Sequence, residues 1–200
     1  MKRALITGVT GLLGEQLLRF VVTERNTKIY LLVRYPYKKN KLTVIRNTYI
    51  ENYKNRYPKR VKVIHGDINL VDLGINREIK RVMMREVTDI YHCAALTGFQ
   101  MTLEQVRLTN VVGTKNILRF ALRCTNLRKI NYVSSVFVAG DCVDRFSEDS
   151  LDQKQGFKNP YEQSKFEAEL LVRQYQKRGL NIFIYRPSII VGQFGNGKSK

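Results

Sequence analysis

The sequence predicts an α/β fold in which a doubly wound parallel sheet carries helices on both faces. Two observations lead to this prediction. Apolar runs of strand length alternate with longer segments of helical period along nearly the whole chain, and this alternation is typical of parallel strands joined by crossover helices. A glycine-rich turn follows the first apolar run, at residues 7–14. A chain of 200 residues can bury roughly 70% of its unfolded surface as one domain.

Strands are predicted near residues 3–7, 28–33, 61–65, 89–94, 129–134 and 181–186, and helices near 11–25, 40–56, 74–86, 101–125 and 160–178. Because no repeat, low-complexity tract or linker interrupts this order, residues 1–200 are predicted to form one domain. The connection at 136–159 is long and acidic. Loops of that length are commonly lids or binding segments, so we expect a lid beside the active site.

The charge of the chain is strongly basic, with 35 Lys and Arg against 17 Asp and Glu, a net charge of +18. Residues 28–62 contain Glu51 as their single acid among many cations. Such a segment attracts polyanions: a phosphorylated cofactor, coenzyme A, an acidic carrier protein or nucleic acid. A solvated helix surface explains it equally well. No nucleic-acid-binding motif is present, so no specific nucleic acid is predicted as a partner.

The cysteines indicate neither a small disulfide-rich domain nor a small zinc-binding domain. Cys93, Cys124 and Cys142 are odd in number and lack Cys-x-x-Cys spacing, which indicates neither a disulfide framework nor a zinc site. A reducing cytoplasm is therefore the expected location. Nowhere do 18 apolar residues run together, so no membrane span is predicted. His65 and His92 are interpreted as local hydrogen-bonding residues, and no metal site is expected.

The stretch Thr7-Gly8-Val9-Thr10-Gly11-Leu12-Leu13-Gly14 lies between a predicted strand and a predicted helix, the context of a Rossmann-type phosphate-binding turn. In such turns Gly8 permits the tight turn, Gly11 lets the backbone approach a pyrophosphate and Gly14 allows close packing of helix on sheet. The helix N-terminus offers free N–H groups to the phosphates. The residues predicted to bind the cofactor here are Thr7, Gly8, Thr10, Gly11, Leu12, Leu13 and Gly14.

Arg34 ends the second predicted strand, where dinucleotide-binding domains commonly hold an acid on the ribose. An acid repels a 2′-phosphate, whereas arginine can bind that phosphate with two parallel hydrogen bonds. The sequence therefore predicts NADP(H) rather than NAD as the cofactor.

Tyr161 and Lys165 are predicted to lie one turn apart on the same face of a helix, because Asn159 is a suitable N-cap and Pro160 a suitable first residue. A phenol must lose roughly 3 units of pKa to be poised at neutral pH. A lysine ammonium at roughly 4 Å can supply about that much. We therefore expect Lys165 to lower the pKa of Tyr161.

A series of motifs along the chain resembles the extended short-chain dehydrogenases/reductases. After the glycine turn come L-L-V-R (31–34), H-G-D-I (65–68), Y-H-C-A-A (91–95), N-V-V-G-T (110–114), Y-V-S-S (132–135), Y-E-Q-S-K (161–165) and R-P-S-I-I-V-G (186–192). Within that superfamily, L-V-R and G-D-I-N-L-V-D-L-G-I are similar to the thioester reductase and fatty acyl-CoA reductase branch, the male-sterility type of NAD-binding domain.

The resemblance assigns roles by position. It implies that Ser135, Tyr161 and Lys165 are catalytic, and that Asn110 orders the active-site helix. Further cofactor contacts are implied for Asp67 and Ile68 at the adenine, and for Ala94, Ala95, Asn110, Tyr161, Lys165, Arg186 and Pro187.

The implied function is NADPH-dependent reduction of an acyl thioester, carried on coenzyme A or on an acyl-carrier protein, by hydride transfer. Two alternatives stay open: a sugar-nucleotide epimerase or ketone reductase of the same superfamily, and a non-catalytic NADP-binding protein. Dehydratases of the superfamily have an Asp-Glu pair after the serine. Val136 and Phe137 stand there, which disfavours dehydration.

After Pro187 the sequence runs through Gly192, Gly195 and Gly197 without a further predicted strand or helix. Members of the resembled family continue beyond this point and build much of their substrate pocket there. We therefore expect the C-terminal substrate-binding part to be absent from this chain. The expected consequences are binding of NADP with little or no turnover, and apolar surface near the sixth strand that promotes a homo-oligomer.

Overall fold

The computed structural model of the protein describes residues 1–34, 41–98 and 100–190. Its strands are β1 (Lys2–Thr7), β2 (Thr27–Val33), β3 (Val61–His65), β4 (Asp89–His92), β5 (Lys129–Val133) and β6 (Ile182–Tyr185). They form one parallel sheet in the order β3-β2-β1-β4-β5-β6. This is the order of a Rossmann-type doubly wound sheet, which confirms the predicted fold. The order reverses between β1 and β4, where such folds bind ligands.

The helices are α1 (Leu12–Val21), α2 (Lys41–Arg56), α3 (Arg77–Glu86), α4 (Leu103–Arg107), α5 (Thr114–Leu122) and α6 (Pro160–Lys177). No helix in the described part of the chain is long and apolar enough to cross a membrane. The predicted exit through Gly192, Gly195 and Gly197 lies outside the described residues, as do Lys38 and Lys39 of the basic segment.

Three predicted helices differ from those in the structure. The one predicted at 11–25 ends at Val21, and the other two differ for local reasons. The segment predicted as one helix at 101–125 contains a π-helical turn, Leu108–Gly113, between α4 and α5. The Thr114 hydroxyl donates to the Asn110 carbonyl at 2.6 Å and so competes with the regular backbone bonds. The helix predicted from residue 74 begins at Arg77, because Asp72, Leu73 and Gly74 have positive φ.

Apolar side chains fill a layer on each face of the sheet. On one face α1, the residue after it and α2 pack on the sheet through Leu18, Val21, Val22 and Ile50, against Ala4, Ile6, Ile29 and Leu31. On the other face α3, α5 and α6 contribute Met83, Ile117, Phe120, Val172 and Tyr175, against Leu5, Tyr30, Ile90, Ile130 and Tyr132. All six strands end at the same edge of the sheet because they are parallel, and this edge collects the predicted site residues.

Candidate active site

The turn between β1 and α1 has no room for side chains at two of its glycines. Gly8 has a φ of +72°, and a Cβ there would lie 2.5 Å from the backbone nitrogen of Ala94. A Cβ on Gly14 would lie 2.2 Å from the carbonyl oxygen of Gly8. The turn therefore packs backbone to backbone against the chain leaving β4, and α1 starts directly above it.

The N-terminus of α1 is built to receive an anion. The residue before the helix is Gly11, which has no side chain that could cap the first N–H groups, and its own N–H donates to the Gly8 carbonyl at 2.9 Å. Uncapped N–H groups and the positive end of the helix dipole favour a phosphate at this position. Together with the tight glycine turn, this cradle fits the pyrophosphate of a dinucleotide.

A cleft of about 510 Å³ runs along the carboxyl edge beside this turn. Ten of the predicted cofactor-binding residues line it: Thr7, Gly8, Thr10, Gly11, Leu12, Arg34, Asp67, Ile68, Ala94 and Ala95. Residues that were not predicted to bind the cofactor also line it: Leu32, Val33, Gly66, Asn69, Cys93, Leu96, Thr97, Gly98 and Thr109. Two of these, Gly66 and Cys93, directly follow β3 and β4, a position from which the sequence could have predicted them.

Thr7 joins β1 to β4 through His92, and the directions of the hydrogen bonds can be deduced. The Thr114 hydroxyl already donates to a carbonyl, so it accepts from Nε2 of His92 at 3.0 Å. His92 Nδ1 is then an acceptor, and the Thr7 hydroxyl donates to it at 2.7 Å. Burial lowers the pKa of His92 to about 3, so the imidazole is neutral. Both ring nitrogens of His92 therefore form hydrogen bonds within the protein, which agrees with its interpretation as a hydrogen-bonding residue.

Asn110 connects the loop after β4 to α6. Its Oδ1 accepts from the Leu96 N–H at 2.8 Å, and its Nδ2 donates to the Leu96 carbonyl at 3.0 Å and to the Ser164 hydroxyl at 2.9 Å. The Ser164 hydroxyl in turn donates to the carbonyl of Tyr161 at 2.8 Å. Asn110 does not line the cleft, but it ties the cleft wall to the helix that carries Tyr161.

Helix α6 begins as the sequence predicts. The Asn159 side chain accepts from the Glu162 N–H at 3.0 Å, and Pro160 is the first helical residue. This start places the Tyr161 hydroxyl in hydrogen-bonding contact with Ser135, which follows β5. Burial raises the pKa of Tyr161, and the hydrogen bond with Ser135 lowers it by less. The expectation that Lys165 lowers the pKa of Tyr161 is therefore wrong, because the net shift of that pKa is upward.

Lys165 is buried and directed at β5. Its ammonium donates to the Val133 carbonyl at 2.8 Å and to the Tyr132 hydroxyl at 3.2 Å. Burial lowers the pKa of Lys165 to about 8, against the opposing effect of Glu169. Burial also raises the pKa of the Cys93 thiol to about 12, and the Lys165 charge opposes that shift. Because Cys93 lines the cleft, the charge of Lys165 acts on a residue of the predicted cofactor site.

The structure places Arg186 and Pro187 outside the cleft-lining set. The Arg186 guanidinium binds the Glu169 carboxylate at 2.7 and 3.1 Å, and the Pro187 carbonyl accepts from the Val136 N–H at 3.1 Å. Leu13, Gly14, Tyr161 and Lys165 are likewise absent from the lining of this cleft. Contacts of all these residues with a cofactor stay predictions. Glu169 was missed, although its position four residues after Lys165 marks a carboxylate on the buried face of α6.

The long loop at 136–159 is closely tied to the domain. It starts with a 3₁₀ turn, Val136–Ala139. Gln155 donates to the carbonyls of Val138 and Leu151 at 2.8 and 2.7 Å, and the Asp141 carboxylate accepts from the Gly156 N–H at 2.6 Å. These bonds give the loop a definite shape, while its opening and closing as a lid stay a prediction.

Comparison with known proteins places these features in a family. A family model described as male sterility protein, of the NAD-binding type, matches residues 6–200. The fatty acyl-CoA reductase wat of Drosophila melanogaster is 28% identical over 226 residues, which covers 95% of this chain and 43% of that protein.

Two solved structures are similar to the fold. The terminal R domain from the myxalamid PKS-NRPS biosynthetic pathway has a TM-score of 0.80 at 32% identity and covers 96% of this chain and 50% of that one. UDP-glucuronic acid 4-epimerase from Bacillus cereus, in complex with NAD, has a TM-score of 0.75 at 21% identity and covers 95% of this chain and 57% of that one. The second likeness shows the fold alone. The alignments cover between 43% and 57% of the length of these three proteins.

Proposed function

The chain belongs to the male sterility protein family, which it matches over residues 6–200, and we propose that it reduces an acyl thioester with hydride from NADPH. The observation that carries the proposal is the hydrogen-bonding contact of Tyr161 with Ser135 at the sheet edge that also holds the glycine-turn cleft. A proton donor and a dinucleotide cradle at one edge are the two requirements of a carbonyl reductase.

The proposed cofactor is NADP(H) rather than NAD(H). The exposed side chain of Arg34 lies just beyond β2 and lines the cleft. A guanidinium at that position can bind a 2′-phosphate through two charge-assisted hydrogen bonds. The excess of 35 basic over 17 acidic residues favours polyanionic ligands in general.

The proposed chemistry assigns one task to each catalytic side chain. Bound NADPH would supply hydride to the thioester carbonyl carbon. Tyr161 holds its proton at neutral pH, because burial raises its pKa, and it donates that proton to the carbonyl oxygen as negative charge develops there. Ser135 stabilises the same oxygen with a hydrogen bond. Loss of the thiol from the resulting tetrahedral adduct gives the aldehyde.

The substrate class follows from the relatives. The chain is similar to a fatty acyl-CoA reductase and to the R domain of a PKS-NRPS pathway. We therefore propose an acyl group in thioester linkage to coenzyme A or to an acidic carrier protein.

The test is incubation of the protein with NADPH and a mixed panel of acyl-CoA and acyl-carrier thioesters, followed by mass spectrometry of the products. Aldehyde or alcohol and free thiol should form in step with oxidation of NADPH. A parallel reaction with NADH measures cofactor preference, and a reaction without thioester measures background oxidation. A separate reaction with NAD and a panel of sugar nucleotides tests the epimerase alternative, which epimerised sugar nucleotide with recycled NAD would show. Tight cofactor binding without any product would show a non-catalytic binding protein.

A further inference from the structure

A buried ionic cluster lies directly behind the candidate catalytic residues. The carboxylate of Glu169 is fully buried. One oxygen accepts from Arg186 Nη2 at 2.7 Å and from Arg173 Nε at 3.1 Å. The other accepts from the Ser134 hydroxyl at 2.6 Å and from Arg186 Nε at 3.1 Å. The three residues that bind the carboxylate come from different parts of the fold: Ser134 follows β5, Arg173 lies on α6 itself and Arg186 follows β6.

The two arginines extend this cluster to the long loop. Arg186 donates to the carbonyls of Ser147 and Ser150 at 3.0 and 2.6 Å. Arg173 donates to the carbonyls of Glu148 and Asp149, each at 2.8 Å. Four consecutive backbone carbonyls are thus bound by two guanidinium groups, and one carboxylate orients both groups. The loop segment 147–150 is therefore attached to α6 through Glu169.

Glu169 is also close to two of the three proposed catalytic residues, Lys165 and Ser135. It lies one turn after Lys165 on α6, and its partner Ser134 immediately precedes Ser135. Clusters of buried ions add little stability compared with apolar side chains of equal size, because desolvation offsets their attraction. Such a cluster does fix the relative positions of the elements that contribute to it. This distinguishes a positioning role from ordinary core packing.

We propose that Glu169 is a positioning residue, whose carboxylate fixes the Ser134-Ser135 strand end against α6 and anchors residues 147–150 to the same helix. The catalytic part of this inference rests on the proposed function. The structural part, a clamp made by Glu169, Arg186 and Arg173, does not depend on which substrate is reduced.

The charge of Glu169 has a second consequence, for Lys165. Burial raises the pKa of Glu169, but the hydrogen bonds and charges of Arg186, Ser134 and Arg173 outweigh it, so the net shift is downward and the group is ionised at neutral pH. This negative charge raises the pKa of Lys165 against its burial. The other titratable groups near Lys165 are Tyr161, one turn earlier on α6, His92 and Cys93 at the end of β4, and Tyr132 on β5.

The experiment compares Glu169→Gln and Glu169→Asp with a matched control, Glu167→Gln. Glu167 lies on the same helix and also pairs with an arginine, Arg107, but lies outside the cluster. Three quantities are measured in the whole chain: the titration midpoint of Lys165 from ¹³C-labelled lysine in NMR spectra, the amide hydrogen exchange of the peptide containing residues 147–150, and kcat and KM with NADPH and the active thioester.

Glu169→Gln should move the Lys165 midpoint down by about one pH unit and speed exchange at 147–150 by about tenfold or more. It should lower kcat by about tenfold or more while KM for NADPH changes less than about threefold. Glu169→Asp keeps the charge and shortens the side chain, so it should restore the Lys165 midpoint but restore the exchange only in part. Glu167→Gln should leave all three quantities unchanged.

Unchanged Lys165 titration and exchange in Glu169→Gln would overturn the inference, and so would unchanged kcat in a protein whose loop exchange has risen. Equal effects of Glu167→Gln would mean that the changes reflect general stabilisation of α6, and this result would also overturn the inference. If Glu169→Gln does not fold, Glu169→Asp decides: an unchanged Lys165 midpoint with faster exchange at 147–150 supports the inference, and unchanged exchange overturns it. If the unmutated protein reduces no thioester, the proposed function fails, while the NMR and exchange measurements still decide whether the clamp exists.

Discussion

The two halves of the candidate site are built in different ways. The half around β1 and α1 is made of main chain: glycines without room for a Cβ, an uncapped helix N-terminus and short strand-end residues. The half around β5 and α6 is made of buried polar side chains that hold one another, with Lys165, Glu169 and Ser134 at its centre. A backbone cradle suits any pyrophosphate, whereas a side-chain cluster fixes individual reacting groups. Substitutions in the first half should therefore change the packing and stability of the turn, whereas substitutions in the second half should change the reactivity of the catalytic groups.

The largest effect is expected for Tyr161→Phe in the side-chain half. Removal of the hydroxyl should lower kcat by about 10²- to 10⁴-fold, because a proton donor to the carbonyl oxygen is lost. Cofactor affinity, measured by calorimetry, should stay within about threefold, since the lost group acts mainly in the transition state. Near-normal turnover with an authentic thioester would show that Tyr161 is not the acid.

Gly8→Ala tests the backbone half. Its Cβ would meet the main chain at 2.5 Å in a residue with φ +72°, so the free energy of unfolding should fall by about 3 kcal/mol or more in urea titrations. Gly179→Ala is the matched control, since φ is +95° there but nothing lies within 4 Å of the added Cβ. It should cost only about 1–2 kcal/mol. Equal losses would mean that the close packing on Ala94 is unimportant.

The buried ammonium of Lys165 should make stability depend on pH. Its pKa is about 8 in the folded protein against 10.5 for the ordinary side chain, so the unfolded state binds more protons between these values. Stability should therefore rise with pH across that window, by up to about 3 kcal/mol relative to Lys165→Met. Urea titrations of both proteins from pH 7 to 10 measure the difference, in which the other titrating groups cancel. A constant difference across the window would contradict the low pKa.

Arg34→Ala should have the smallest effect and leave chemistry intact. Loss of a charge-assisted contact of about 1.5–3 kcal/mol should remove most of a preference for NADPH over NADH of about 10- to 150-fold. Calorimetric titration of both cofactors into both proteins measures it. Lys62→Ala, at an exposed cation on β3, serves as the control for general charge. Equal affinities of the unmutated protein for the two cofactors would refute NADP specificity.

The backbone half could be predicted closely from the sequence, since its signals are contiguous. The glycine spacing of residues 8, 11 and 14 indicated the turn, and period and flanking residues placed all six strands to within about two residues. The start of α6 at Pro160 was equally local, because Asn159 caps its own helix. Helix ends were missed where a side chain competes with the regular backbone bonds, as at the π-helical turn where the Thr114 hydroxyl donates to the Asn110 carbonyl.

The side-chain half could be predicted only as a set of residue types. The sequence by itself determined the parallel fold, the family, the dinucleotide turn and the spacing of Tyr161 and Lys165, because each depends on near neighbours or on strand-helix alternation. Only the tertiary structure decided that burial raises the pKa of Tyr161, that Lys165 faces β5 and that Arg186 binds Glu169. Desolvation and ion pairing depend on which distant segments meet in space, and the order of residues along the chain does not encode those distances locally.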